Sequence, residues 1–385
     1  MTNSFHRDRF TWLAYFFLAF YGYFLNVLGP ITPFLKEELH LSYTVSSLHF
    51  TAFAVGILLI GLGGHTVIQR VGRWHALWLG AGGISVSALL LLAGRTPAIT
   101  IGAAFCMGLV GSLILAIVPS ALADQHGQGR AVALSEANVI SSVASTAAPL
   151  MVGWCVPLPG GWRLSLGIAA LTPILMGLGF GRGTPPQSNS GATRLTSARR
   201  PLPIRYWVYW AALVLAVSVE FCMIFWSADY LENGLGMTKV NAVQALSLFL
   251  AAMIVGRFAG SRLVQRFAPR SVVIASILLA GAGFALYWTT GNAVLGLAGL
   301  FLTGLGVASL YPLILSLAIG AAGNDTVQAS ARATLASGTA ILALPLVLGR
   351  LADTAGIRAA YGVVAVLLVA VFLIVLASGR GVRSR

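Results

Sequence analysis

The chain is dominated by apolar runs of about 20 residues that follow one another almost from end to end, with short polar turns between them. A helix of that length crosses the hydrocarbon core of a bilayer, which is about 30 Å thick. Only 9% of the 385 residues are charged, whereas a soluble domain has roughly 25%. About twelve such windows are present, without the period-two alternation of a barrel. The sequence therefore predicts an all-α polytopic membrane protein with twelve transmembrane helices.

The two halves of the chain are similar to each other. Gln69-Arg70 and Gln265-Arg266 stand 196 positions apart, and so do Pro149 and Pro345 within similar apolar contexts. A fixed offset at distant places indicates an internal repeat. We expect two pseudo-symmetric six-helix bundles, at residues 1–181 and 206–385, joined by a basic cytoplasmic linker at 182–205. Parallel repeats of this kind place a central cavity between the bundles.

Arginines concentrate in the turns on one side of the predicted helices. Examples are Arg70, Arg130, Arg205 and Arg266. Since cytoplasmic loops of membrane proteins are enriched in Lys and Arg, we expect both termini in the cytoplasm and the protein in the plasma or bacterial inner membrane. The basic linker then lies against anionic lipid headgroups.

Several functional classes do not fit the residues. The two lysines, Lys36 and Lys239, belong to no phosphate-binding loop, so no nucleotide cofactor is expected. Cys106, Cys155 and Cys222 lie in apolar runs without metal-binding spacing. The net charge of +14 is spread between the apolar runs, so nucleic acid is not an expected partner. We expect neither enzyme activity nor a metal or other cofactor.

The turn after the second span carries a family motif. It runs from His65 to Trp74 and is similar to the loop G-x-L-x-D-R-x-G-R-R of the major facilitator superfamily. The signature residues are Gln69 (at the acidic position), Arg70, Gly72 and Arg73. The chain resembles that superfamily over essentially its whole length. The resemblance implies transport by alternating access, with Gln69 accepting a hydrogen bond where the family's acid holds an ion pair.

Segments of the second half resemble the fucose-permease branch of the superfamily, whose members are proton-coupled sugar symporters. The similar segments are Glu220…Trp226…Tyr230-Leu231, Gly236-Met237-Thr238, Gly256-Arg257-Phe258-Ala259-Gly260 and Arg266-Phe267-Ala268-Pro269. This resemblance implies proton-coupled symport.

Glu220 is the first candidate for a proton-coupling residue. It lies 14 residues into the predicted seventh span, Tyr206–Leu231, and so about 21 Å from the cytoplasmic start of that helix. No basic residue shares its turn, and a charge at membrane depth is costly enough to be a functional candidate by default. The alternative is a structural carboxyl that is hydrogen-bonded to a neighbouring span.

Glu136 and Arg332 occupy equivalent positions of the two halves, each 13 residues before its proline. The superfamily resemblance places Glu136 close to Arg257. We therefore expect a Glu136–Arg257 ion pair that closes the cytoplasmic side, with Glu136 assisting proton coupling. Arg332 is either a member of this gate or a long cation that reaches the inner headgroups.

Polar and aromatic side chains in otherwise apolar spans are candidates for the substrate cavity. They are Tyr23, Asn26, His49, Asn138, Ser142 and Trp226. A packing role is the alternative for each of them, and for His49 it is the stronger one.

Together these features predict a monomeric secondary transporter of a small organic solute, with protons and membrane lipids as its other partners. Proton-coupled symport is the first expectation, and proton-coupled efflux of an amphipathic compound or drug is the alternative. A receptor or scaffold that does not transport is a third hypothesis. The intramembrane carboxyls oppose it, because a scaffold gains nothing from burying them.

Overall fold

A computed structural model of the chain describes residues 6–180, 202–323 and 326–378, and within these ranges every regular element is a helix. The helices of the first half are α1 (Arg9–Glu38), α2 (Tyr43–Val71), α3 (Arg73–Ala93), α4 (Pro97–His126), α5 (Arg130–Cys155), α6 (Arg163–Ala170) and α7 (Thr172–Phe180). Those of the second half are α8 (Ile204–Asn233), α9 (Lys239–Leu263), α10 (Pro269–Thr289), α11 (Ala293–Val307), α12 (Leu310–Ala321), α13 (Thr326–Ala355), α14 (Ile357–Ala360) and α15 (Gly362–Ser378).

Eleven helical segments in the described ranges are long and apolar enough to cross a membrane, which confirms the predicted all-α polytopic class. One of the eleven, Pro97–Cys155, has 59 residues. It contains the fourth and fifth predicted spans, which the sequence separates at 123–130. The residues between α4 and α5 form a 3-10 turn, Gly127–Gly129, so helical structure continues through the expected break. The count of twelve spans stays a prediction.

Contacts divide the chain into two compact units, which differ from the predicted halves at one place. The first unit comprises Met1–Leu28 and Ala52–Ser197, and the second comprises Gly29–Thr51 and Ala198–Arg385. The end of α1 and the start of α2 therefore pack with the second half of the chain. The predicted linker, 182–205, lies outside the described residues except for its last four positions, and the predicted domain boundaries stay predictions.

Helix α8 is the centre of the second unit. Ala212, Leu213 and Ala216 of α8 pack in one buried cluster with side chains of α10, α12, α13 and α15. Small residues allow such close approach between helices in a membrane, where packing replaces the hydrophobic effect as the driving force. Two of the three carboxylates of α8, Glu220 and Asp229, are buried or largely buried among other helices.

Candidate functional site

Glu220 lies near the middle of α8, 16 residues after Ile204, which is about 24 Å along the helix axis. Arg257 of α9 donates from Nη2 to Oε1 of Glu220 at 3.5 Å. The Glu220 side chain is 15% exposed and that of Arg257 is 46% exposed. The sequence offered no partner on the same helix, and the structure provides one on the next helix.

This ion pair can respond to a proton or to a ligand. The largely buried Glu220 carboxylate depends on its partner for stabilisation, whereas the half-exposed Arg257 is also hydrated, so loss of Arg257 costs Glu220 more than the reverse. Protonation of Glu220 would remove its attraction for Arg257, and the more exposed Arg257 would then be available to other groups. The geometry therefore suits a site at which binding of a proton to the carboxylate breaks the ion pair.

Glu136 of α5 is the centre of a second charged cluster, in the first unit. Arg7 donates to it from Nε at 2.8 Å and from Nη2 at 2.5 Å, and the Tyr15 hydroxyl donates at 3.0 Å. The hydrogen bond that Arg7 donates to Glu136 raises the pKa of the guanidinium above its usual value. Such bidentate geometry is the strong form of an arginine–carboxylate contact.

The predicted Glu136–Arg257 pair would join residues of different units, and it stays a prediction. Each of the two residues has another partner within its own unit: Arg7 for Glu136 and Glu220 for Arg257. The sequence did not single out Arg7, because it precedes the first apolar run and looks like an ordinary headgroup contact.

Two cavities open in the first unit, and both have largely apolar walls. One, of about 490 Å³, is lined by Arg7, Trp12, Tyr15 and Glu136 among others. The other, of about 280 Å³, is lined by side chains of α1, α5, α6 and α7, including Tyr23. Cavities of this size are suitable for small organic molecules.

Tyr23 and Asn26 are two of the predicted cavity residues, and both are mostly buried. The Tyr23 hydroxyl donates to the carbonyl of Ser165 at 3.3 Å. The Asn26 amide donates to the carbonyl of Gly22 at 2.9 Å and to the Ser145 hydroxyl at 3.0 Å. Their polar groups thus tie α1 to α5 and α6, while the ring of Tyr23 also lines the smaller cavity.

Asn138 and Ser142 lie on α5, one helical turn apart. Asn138 is exposed, and its amide donates to the carbonyl of Leu134 at 2.8 Å. Ser142 is half-buried, and its carbonyl accepts a hydrogen bond from Thr146 at 2.9 Å. A role of either residue in substrate binding stays a prediction.

His49 and Trp226 are buried among other side chains, as the alternative of a packing role expects. His49 is 3% exposed, and its Nδ1 lies 3.1 Å from the carbonyl oxygen of Ser46. Trp226 is fully buried, with its indole N–H donated to the carbonyl of Pro345 at 3.1 Å and its ring 5.7 Å from that of Phe50. Neither side chain lines either of the two cavities described above, and their substrate role stays a prediction.

Arg332 lies on α13 with its side chain exposed. Its guanidinium stands 5.3 Å from the ring centroid of Trp207, within the range of a cation–π contact. The backbone carbonyl of Arg332 accepts a hydrogen bond from the indole of Trp210 at 3.0 Å. A gating role for Arg332 stays a prediction.

The signature loop forms the junction of α2 and α3. Gly72 has φ +84°, a backbone conformation that is strained for any residue with a Cβ atom, so this turn requires glycine. Arg73 donates from Nη1 to Asp124 of α4 at 2.6 Å. Gln69 and Arg70 are exposed at the end of α2. Asp124 therefore supplies to Arg73 the carboxylate that the loop itself does not contain.

A charged network at the far end of α1 was missed by the sequence reasoning. Lys36 donates to Asp229 of α8, and Lys239 of α9 donates to Glu37 and lies 3.4 Å from Glu232. Asp229 belongs to the seventh span predicted from the sequence, so the criterion that selected Glu220 would also have selected it. No local pattern joins Lys36 to Asp229, since the two residues are 193 positions apart.

Close to this network, a carboxylate of α13 caps the start of α2. Asp353 accepts from the backbone N–H of Tyr43 at 2.7 Å and of Thr44 at 2.8 Å, and from the Thr44 hydroxyl at 2.5 Å. The first N–H groups of a helix have no partner within the helix, and a carboxylate both accepts from them and complements the helix dipole.

Known proteins share this fold and sequence pattern. The family model of the Major Facilitator Superfamily matches residues 11–268 and 244–383. An uncharacterized MFS-type transporter of Yersinia pestis is 25% identical over 382 residues, covering 95% of this chain and 94% of the relative. The L-fucose-proton symporter of Escherichia coli K12 is 36% identical over 135 residues, or 34% of this chain and 30% of the symporter.

The fold is also shared with a solved structure. The crystal structure of a bacterial homolog to the human lysosomal transporter Spinster, in an inward-facing and occupied conformation, has a TM-score of 0.83 at 14% identity, and the match covers 96% of each chain. The match to the family model confirms, at the level of the superfamily, the resemblance predicted from the signature loop.

Proposed function

The chain belongs to the Major Facilitator Superfamily, and from that premise we propose that it is a secondary active transporter of a small organic solute that works by alternating access in symport with protons. The observation that carries this proposal is the Glu220–Arg257 pair, a carboxylate at membrane depth whose partner on α9 is accessible. The similarity of part of the chain to a proton-coupled symporter also supports the proposal of symport.

The proposal includes twelve spans in two six-helix bundles, with both termini in the cytoplasm of a plasma or inner membrane. Pro97–Cys155, with 59 residues, measures about 88 Å as a helix, which is enough for two crossings of about 30 Å. Labelling of single cysteines from either side tests the topology: Gln128→Cys, at an exposed position of the turn between α4 and α5, should react from the cytoplasm and Thr96→Cys from the opposite side. The purified protein should have the mass of a monomer.

Transport is tested in proteoliposomes by the movement of protons when a solute is added. Candidate solutes come from a thermal-shift screen of sugars, organic acids and amphipathic cations, because a ligand of the folded state stabilises it by mass action. A symported solute should carry protons in its own direction. A receptor or scaffold would move none, and that outcome would overturn the proposal.

Glu220→Gln tests the assigned proton site. The variant should lose accumulation driven by a pH gradient, because glutamine cannot carry the proton, while it retains exchange of labelled solute across the membrane. The matched control is Glu38→Gln, which changes an exposed carboxyl at the end of α1 and should leave accumulation intact. Full accumulation by Glu220→Gln would show that the proton binds elsewhere.

Efflux of an amphipathic compound is the second candidate function, and the cavities of the first unit favour it. Phe16, Phe20 and Met151 contribute to the wall of the smaller cavity, which suits an apolar ligand better than a sugar. Antiport would move protons opposite to the solute, so the proteoliposome experiment separates efflux from symport by the sign of the pH change.

A further inference from the structure

Asp229 is a buried carboxylate with one oxygen satisfied and one not. Its side chain is 1% exposed. Oδ1 accepts a hydrogen bond from the Lys36 ammonium group. Oδ2 is buried and is the one such side-chain atom without a hydrogen-bond partner among the described residues. Buried polar atoms in folded proteins are almost always paired, so an orphaned carboxylate oxygen calls for a physical reason.

A vacant oxygen on a buried carboxylate is a place where a proton can bind without displacing an existing donor. Protonation there neutralises Asp229 and removes the attraction that holds Lys36. The Lys36 side chain is itself only 18% exposed, so loss of its nearest counter-charge leaves a largely buried cation, which is unfavourable. Its other neighbours include the ring of Tyr43, whose centroid is 3.8 Å from the ammonium nitrogen, and the carboxylate of Glu232.

The pair lies where Gly29–Thr51, the segment formed by the end of α1 and the start of α2, packs on the rest of the second unit. The ring of Phe50 stacks on that of Phe225 at 4.0 Å, and the Ser47 hydroxyl lies 3.3 Å from the carbonyl oxygen of Pro345. These two contacts are apolar or neutral, whereas the Lys239–Glu37 pair and the Asp353 cap are charged contacts whose carboxylates are exposed. Among these charged contacts of the segment, the Lys36–Asp229 pair is the one whose carboxylate is buried, so its charge state weighs most on the attachment.

We propose that Asp229 is a second proton-binding site, and that a proton on its free oxygen releases Gly29–Thr51 from α8 and α13. The site is separate from Glu220, which lies nine residues earlier, about 13.5 Å along the same helix. The inference rests on the proposed transport function. In a transporter, a proton on Asp229 would favour opening at the end of the protein where the last turn of α1 lies.

Other charged and titratable groups surround the site, and the experiment must separate them from Asp229. Tyr43 of α2 and Glu232 of α8 lie close enough to interact with its charge. Lys239 of α9 is bound to Glu232 and to Glu37 of α1. From α13, Asp353 caps the adjacent start of α2.

The test measures release of the segment through the reactivity of a cysteine at Ser47, which is fully buried against Pro345. Ser47→Cys is introduced into the full chain with Cys106, Cys155 and Cys222 replaced by alanine, and the protein is reconstituted without solute or pH gradient. A membrane-impermeant thiol reagent is added at pH 5.5 and at pH 8, and each rate is divided by that of the denatured protein at the same pH.

We expect the normalised rate to be about tenfold higher at pH 5.5 than at pH 8, which corresponds to about 1.4 kcal/mol in the equilibrium between the packed and the released segment. With Asp229→Asn, which resembles the protonated carboxyl, labelling should be fast at both values. Lys36→Gln leaves the buried Asp229 carboxylate without its nearest counter-charge, so its labelling should be fast at pH 8 and slower at pH 5.5, the reverse of the parent. This variant serves if the first one does not fold. The matched control Glu232→Gln should keep the pH response.

A pH response that persists in Asp229→Asn, keeps the parent's direction in Lys36→Gln, disappears in Glu232→Gln, or is absent from the parent would overturn the second site. The labelling does not require transport, and Glu220→Gln should leave it unchanged. A protein that labels as expected but moves no protons would refute the proposed function alone. A proton-coupled transporter with pH-independent labelling would refute only the role of Asp229.

Discussion

Replacing Gly283 of α10 by alanine measures how closely the helices of the second unit approach each other. A Cβ at this position would lie 2.5 Å from the backbone nitrogen of Thr303 and 2.8 Å from the carbonyl carbon of Leu302. Gly299 of α11 faces the same contact from the other side, since its Cβ would lie 2.7 Å from the carbonyl oxygen of Gly283. Backbone atoms cannot rotate away as a flexible side chain can, so the two helices must separate.

The cost follows from two opposing effects. Alanine in a helix is more favourable than glycine by about 0.5–1 kcal/mol. Overpacking of a close contact costs about 1–3 kcal/mol. The clash is the larger effect, so we expect a net loss of about 1–2 kcal/mol for Gly283→Ala, which lowers the midpoint of thermal unfolding by about 2–8 °C for a unit of this size.

The assay is thermal unfolding of the purified protein in detergent, followed by tryptophan fluorescence. Gly281→Ala is the matched control, because it lies on the same helix and a Cβ there would meet nothing within 4 Å. It should be neutral or slightly stabilising. Equal midpoints for Gly283→Ala and the parent protein, or an equal loss in Gly281→Ala, would refute the reasoning from close backbone contact.

Three further changes test individual contacts by the same measurement. Asp353→Ala removes the acceptor at the start of α2 and should cost about 1–2 kcal/mol; an unchanged midpoint would mean that the cap is not formed. Trp226→Phe removes a buried indole hydrogen bond to the carbonyl of Pro345, which keeps the Ser47 hydroxyl as a donor, so a loss of about 0.5–1.5 kcal/mol is expected, and a stabilised variant would contradict it. Arg73→Ala breaks a partly exposed pair with Asp124 and should cost less than about 1 kcal/mol; a larger loss would show that the loop is more tightly coupled to α4.

The helices could be predicted because each apolar run has to satisfy its own backbone hydrogen bonds in lipid. The seventh span, expected at Tyr206–Leu231, is α8 at Ile204–Asn233. Helix ends were less predictable where a turn keeps helical hydrogen bonds, as between α4 and α5. The packing of Gly29–Thr51 with the second half could not be foreseen, since the repeat assigns this segment to the first bundle.

The sequence could identify individual residues of the candidate site but not which of them contact each other. Glu220 could be selected because a carboxylate in an apolar run is expensive and therefore conspicuous. Its partner could not, since Arg257 lies 37 positions away on another helix. The resemblance suggested Glu136 for Arg257, whereas contacts within each unit join Arg257 to Glu220 and Glu136 to Arg7.

Composition and periodicity alone determined that this chain is a polytopic helical membrane protein, and its signature loop determined the superfamily, because both properties are local and repeat along the chain. Tertiary structure alone decided which charges meet. Ion pairing depends on the rotation and depth of each helix, and these are set by packing between helices that are distant in sequence. The burial of Asp229 against Lys36 is one such result, and no local pattern at either position contains it.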